Sequence, residues 1–189
     1  MLLFYYIIEN MESYDIKVII IGIDKLGKSC FRCKAGNNNK EFKQLIKKYK
    51  KTIVAEFGFI LIQIHNINYR IQLWDIAWHI NTIKIFAKDA QAILFFYDSM
   101  NRQSFEQIKN LYFSDLKENE AKFYMVRSKY DCKNKPNDNN IDIINDEEVL
   151  EFVNENKMNF AHISNIEKYE TGIANILKNL LSEHLKIKK

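Results

Sequence analysis

The stretch that most constrains this chain is "YDIKVIII" followed directly by "GIDKLGKS", from Tyr14 to Ser29. The first eight residues alternate weakly and then turn wholly apolar, the pattern of a strand buried on both faces. The next eight fit G-x-x-x-x-G-K-[ST], placed after a strand and before a helix. Gly22 and Gly27 let the main chain curl so that successive N–H groups point inward. Lys28 brings a point charge, and the Ser29 hydroxyl suits a hard cation. A helix starting at Lys28 adds the positive end of its dipole. This predicts a cradle for phosphate groups built from Gly22, Asp24, Lys25, Leu26, Gly27, Lys28, Ser29 and Cys30.

Beyond the loop, apolar runs alternate with helical patterns. "FGFILIQIHN" and "NYRIQLWDIA" read as alternating strands joined at Asn66-Ile67-Asn68, a hairpin. "AQAILFFYD", "AKFYMVRSKYD" and "MNFAHIS" are three further strand-like runs. Between them, "SFEQIKNLYFSDLKEN" starts with a capping-box pair, Ser104 and Gln107. "NDEEVLEFVNENK" opens with acids, as a helix N-terminus prefers, and "TGIANILKNLLSEHLKIKK" carries a long apolar stripe. Strands alternating with helices predict an α/β fold: a P-loop NTPase-type, doubly wound, mostly parallel six-stranded sheet with helices on both faces. Residues 1–13 read as an N-terminal extension and 14–189 as one domain. The Asn-rich patches "GNNNK" and "NKPNDNN" read as loops.

The chain is long enough for one full core, and 47% hydrophobic residues suit a globular domain. A net charge of +4 is too small to imply nucleic acid as a partner. Three cysteines, an odd count without a secretory signal, predict an intracellular, cytoplasmic-side protein with no disulfide framework. The lone "CFRC" lacks the further ligands that zinc needs, so Cys30 and Cys33 read as thiols on a helix. "MLLFYYII" is too short to span a bilayer. Leu2 excludes myristoylation, and "HLKIKK" offers no cysteine, so no lipid anchor is encoded in these residues. The basic run "KKYKK" before Thr52 reads as a solvated charge run, with attraction to an acidic partner or phosphate-rich surface as the alternative.

The order "GIDKLGKS … KKTIVAEF … IQLWDIA … FFYDSMNRQSFEQIKNLY … VRSKYDC … FAHIS" resembles Ras-superfamily small GTPases, most closely the Rab branch. The resemblance spans Tyr14 to about Leu185. It implies a guanine-nucleotide switch that binds GTP or GDP with Mg²⁺. Thr52 is then the switch I threonine that reaches the metal and the γ-phosphate, and Asp75 holds the metal through water. Ser29, Thr52 and Asp75 form the implied metal set. Asp131 in "SKYD" is implied to read the guanine base, Lys129 to lie along it, and Ser164 with the backbone of Asn165 to meet the guanine oxygen. Phe57 and Trp74 match two of the three aromatics that Rab proteins show to effectors, with plain packing as the alternative.

Four departures from that pattern bear on hydrolysis or on guanine affinity. Trp78 stands where D-x-x-G has its glycine, and His79 replaces the glutamine that orients the attacking water. Translational GTPases use histidine there, after an intact glycine, which makes His79 the catalytic candidate, with a partly exposed histidine without a role as the alternative. Asp24 and Lys25 replace small residues of the loop, and a carboxylate beside phosphate is repulsive unless Lys25 or Mg²⁺ offsets it. Ser128 stands where N-K-x-D has asparagine. Relative to the Rab pattern, the segment before Thr52 is longer and the one after Trp74 shorter. Three readings stay open: a slowly hydrolysing switch, a module holding GTP or GDP almost permanently, and a pseudo-GTPase serving as a docking subunit.

Overall fold

The computed structural model describes residues 13–129, 143–164 and 170–186; for 170–173 and 183–186 only the backbone is described. The strands are β1 (Ser13–Ile21), β2 (Ala55–Ile64), β3 (Ile67–Ile76), β4 (Ala92–Tyr97), β5 (Lys122–Arg127) and β6 (Asn159–His162). The helices are α1 (Lys28–Ala35), α2 (Asn39–Lys47), α3 (Ile80–Ala87), α4 (Arg102–Leu111), α5 (Asp146–Glu155) and α6 (Glu170–Lys186). A short π-helical turn, Tyr112–Leu116, continues α4. The sheet order is β2-β3-β1-β4-β5-β6, with only the β2–β3 pair antiparallel. This is the six-stranded, mostly parallel sheet expected.

The period of two along β1 divides the core. Ile19 and Ile21 face one layer, with Phe95 of β4, Ile83 of α3, Phe105 of α4 and Phe152 of α5. Val18 and Ile20 face the other, with Phe31 of α1, Leu94 of β4, and Ile176 and Leu180 of α6. Each fully buried aliphatic side chain contributes roughly 1.5–3 kcal/mol of transfer free energy. A strand covered on both faces therefore sits at the middle of the sheet, and its C-terminal end points the following loop into the crevice.

Three local expectations shift. The hairpin turn is His65-Asn66, one residue earlier than expected, and both have positive φ (49° and 62°), as a two-residue turn between right-twisted strands requires. The cap of α4 is Asn101, whose side chain accepts the Ser104 N–H at 3.3 Å; Ser104 lies inside the helix, and its hydroxyl donates to the Asn101 carbonyl at 2.6 Å. "GNNNK" is not all loop. Asn38 caps α2 by accepting the Glu41 N–H at 3.2 Å, so the helix begins at Asn39. "NKPNDNN" lies outside the described residues.

None of the α2 residues is fully buried, so the helix needs another anchor. Arg32 of α1 provides it. Its buried guanidinium reaches Glu41 of α2 at 2.5 Å, Glu56 of β2 at 2.8 Å and the Phe57 carbonyl at 3.2 Å. Gly58 sits beneath this side chain, where a Cβ would meet Arg32 Cγ at 3.1 Å. Arg32→Ala strands two carboxylates and is expected to cost about 3 kcal/mol, or roughly 6–12 °C in Tm. Arg32→Lys restores part of this, since an ammonium cannot span three acceptors as a planar fork does. A thermal melt within a degree of the parent contradicts this role.

Candidate functional site

The loop after β1 is shaped by two glycines. Gly27 has φ 79° at the N-cap of α1. Gly22 has φ 154°, and a Cβ there would meet the Phe96 carbonyl oxygen at 2.5 Å, so no larger residue fits without displacing β4. Lys28 folds back under the loop. Its buried ammonium donates to the carbonyls of Gly22 at 2.7 Å and Ile23 at 2.9 Å. Two of its three donors thus hold the ring closed, and the third is left to meet an anion. Burial pushes the Lys28 pKa down, while Asp75 and Asp24 pull it back up.

Three oxygen-bearing side chains from distant segments meet beside this loop. Ser29 Oγ donates to Asp75 Oδ2 at 2.5 Å, Thr52 Oγ1 donates to the same oxygen at 3.3 Å, and the two hydroxyls lie 3.4 Å apart. Thr52 is brought in by the chain after α2, and Asp75 by β3. Asp75 is fully buried, and its Oδ1 has no hydrogen-bond partner. Burial lifts its pKa above the usual carboxylate value, against the opposing pull of Lys28. All-oxygen donors with one carboxylate suit a magnesium ion that keeps water and takes its remaining ligands from phosphate. Among the described residues no cluster of three His, Cys, Asp or Glu offers a protein-only metal site.

A cavity of about 240 Å³ opens over Ser29 and Thr52, lined by Asp24 to Cys30 of the loop, Leu45, Tyr49, Lys50 and Thr52 of the α2 segment, and Ala77, with Asp75 buried behind the two hydroxyls and outside the lining. The loop and the α2 segment are joined across its mouth. Lys51 pairs with Asp24 at 2.8 Å, and the Lys25 ammonium sits 5.7 Å above the Tyr49 ring. The cation that offsets Asp24 is therefore Lys51, a residue not foreseen for this role, while Lys25 turns to the aromatic ring.

After β3 the chain departs from the cavity. Ala77 N–H donates to the Val54 carbonyl at 3.0 Å, tying the segment to the chain between Thr52 and β2. Trp78 packs half-buried against the core layer of α3 and α4, and Lys84 of α3 is pinned to Asp115 at 2.5 Å. His79 is exposed at the N-cap of α3, its Nδ1 3.4 Å from the Thr82 hydroxyl, and it does not line the cavity.

The other expected ligands follow the C-terminal ends of neighbouring parallel strands, where open α/β sheets bind ligands. Ser128 donates its hydroxyl to the Tyr97 carbonyl at 2.9 Å, so it ties β5 to β4. Lys129, at φ 53°, reaches Asp98 at 2.9 Å. Ser164 is buried beyond β6, beside Ile163, whose N–H bonds the Arg127 carbonyl at 2.9 Å. Asp131 and Asn165 lie outside the described residues. Phe57 and Trp74 face each other in register with rings 4.7 Å apart, and Phe86 of α3 adds a third, unforeseen aromatic 5.2 Å from Trp74.

A strand, phosphate-type loop and helix with a serine, threonine and aspartate on one spot define the class, and sequence comparison agrees with it. The model of the Ras family matches residues 17–186. This chain belongs to the Ras family of small GTPases. It resembles the Rab branch at low identity. It is 26% identical to Ras-related protein Rab-1 of Theileria parva, over 92% of this chain and 80% of that protein. Rab-1 of Theileria annulata is 27% identical with the same coverage. RabV of Dictyostelium discoideum is 29% identical over 65% of this chain and 53% of that protein.

Asp75 makes the metal reading testable without activity. A carboxyl whose folded-state pKa is raised binds a proton on folding, so stability falls as pH rises from the ordinary carboxylate value through the raised one. A charge on Asp75 therefore opposes folding of the nucleotide-free protein. Asp75→Asn is expected to raise the Tm of that form by a few degrees, about 1 kcal/mol, and to abolish any further gain on adding Mg²⁺ with GDP. A variant that is destabilised, or that keeps the Mg²⁺-dependent gain, contradicts the assignment.

Proposed function

We propose that this protein is a Rab-like switch that binds GTP or GDP with Mg²⁺ and hydrolyses GTP slowly. The observation that carries the reading is the convergence of Ser29, Thr52 and Asp75 beside the Lys28 ring, with an unpartnered Asp75 oxygen. In this reading, main-chain N–H groups from Gly22 to Cys30 hold the phosphates, and Lys28 neutralises them. Ser29 and Thr52 would hold the ion, and Asp75 would reach it through water. The ion, when bound, supplies a positive charge against the outer phosphate oxygens. Asp131 reads the base, with Lys129 and Ser164 beside it. Ser128, held on the Tyr97 carbonyl, makes no bridge to the loop, which weakens guanine binding relative to an asparagine.

Catalysis in this reading runs through His79, which must leave Thr82 to hold a water at the cavity. Trp78 and the Lys84–Asp115 pair oppose that movement, so turnover is slow. Without a partner protein the rate is expected on the order of 10⁻⁴ s⁻¹ or below. His79→Ala is expected to lower single-turnover GTP cleavage by about tenfold, less than a well-placed acid–base group gives. An unchanged rate removes the histidine from the chemistry. The fixed position of Trp78 favours a second reading, a pseudo-GTPase docking subunit presenting Phe57, Trp74 and Phe86. Identifying the nucleotide that co-purifies separates the two: bound GDP or GTP supports the switch, and protein free of nucleotide supports the subunit.

A further inference from the structure

The charge of this protein is not spread evenly. Residues 39–51 hold six lysines and one glutamate, a net +5, while the whole chain carries +4, so everything else sums to −1. Lys40, Lys43 and Lys47 recur at helical spacing on the outward side of α2, and all are exposed. Glu41 is occupied by Arg32, Lys50 and Lys51 are paired with Glu56 and Asp24, and Lys40, Lys43, Lys47 and Lys48 form no ion pair among the described residues. Apolar tips are interleaved with these cations. Ile46 is 54% exposed, Tyr49 49%, Ile53 88% and Val54 55%.

We propose that the α2 segment through Val54 is a docking surface for an anionic phospholipid membrane. The two kinds of exposed group favour a bilayer over an acidic protein. Lysines on flexible stems follow mobile phosphate and serine headgroups without needing carboxylates at fixed places. Ile46, Tyr49, Ile53 and Val54 gain from the acyl boundary beneath those headgroups, where aliphatic and aromatic tips settle. Among the described residues no helix is long and apolar enough to cross a membrane. Because Thr52 lies between Tyr49 and Ile53, the docked surface adjoins the cavity. The docking itself does not depend on nucleotide binding.

The test is sedimentation of the full chain with phosphatidylcholine vesicles, with and without phosphatidylserine, alongside retention on immobilised poly-glutamate. Binding only to phosphatidylserine vesicles, weakened about tenfold on raising salt from about 0.1 to about 0.5 M, is expected. Combined Lys40→Glu, Lys43→Glu and Lys47→Glu should lower it by at least about tenfold, while Lys88→Glu, Lys117→Glu and Lys178→Glu together change it less than about twofold. If the charge-reversed protein fails a melting control, the three glutamine substitutions replace it with the same expected direction. Ile53→Ser should weaken vesicle binding yet leave poly-glutamate retention unchanged. Four results overturn the proposal: no vesicle binding, equal binding to neutral vesicles, equal loss in the remote triple variant, or retention on poly-glutamate alone, which assigns the surface to an acidic protein.

Discussion

A carboxylate taken wholly out of water is among the costliest groups a fold can hold, and Asp75 is such a group. Two hydroxyls and the nearby Lys28 charge offset part of the penalty, and one oxygen stays unsatisfied. The surrounding architecture exists around that point. β3 delivers Asp75 parallel to β1, the loop after β1 delivers Ser29, and the α2 segment delivers Thr52. Each of the three can move only if a different part of the structure moves with it. A group so placed is poor for stability and has the chemistry to hold a cation.

The same logic explains how the α2 segment is held. Its helix has no buried residue and relies on the Arg32 guanidinium at one end. Near its other end it relies on contacts across the cavity mouth, Lys51 to Asp24 and Tyr49 to Lys25. An exposed ion pair is worth only about 0–1 kcal/mol and weakens with salt. The mouth is thus closed by weak forces and the base by strong ones, which lets the segment open without loss of the fold. The segment after β3 is held differently, by half-buried Trp78 packed against the core layer of α3 and α4, with the Lys84–Asp115 pair beside it.

Much of this was readable in the chain before folding. "YDIKVIII" and "GIDKLGKS" carry strand, turn and helix start in local chemistry, and Asp75 and Thr52 sit in short stretches with the family's order. What was missed depends on residues far apart in sequence. Nothing near Arg32 announces Glu41 and Glu56 as partners, and nothing near Asp24 announces Lys51. The Asn-rich patch before α2 read as loop because asparagine favours turns, yet Asn38 uses the same hydrogen-bonding side chain to start a helix. Ser104 misled for a similar reason: the Asp98–Asn101 turn supplied an earlier cap.

The central claim is that an anionic phosphate group and a cation share the pocket formed by Lys28, Ser29, Thr52 and Asp75. Calorimetric titration of nucleotide-stripped protein with GDP, in magnesium and in excess chelator, tests it most directly. The account predicts saturable heat with one nucleotide per chain, much weaker binding once the metal is chelated, and none with an adenine counterpart. Absence of heat, or heat indifferent to the metal, contradicts it.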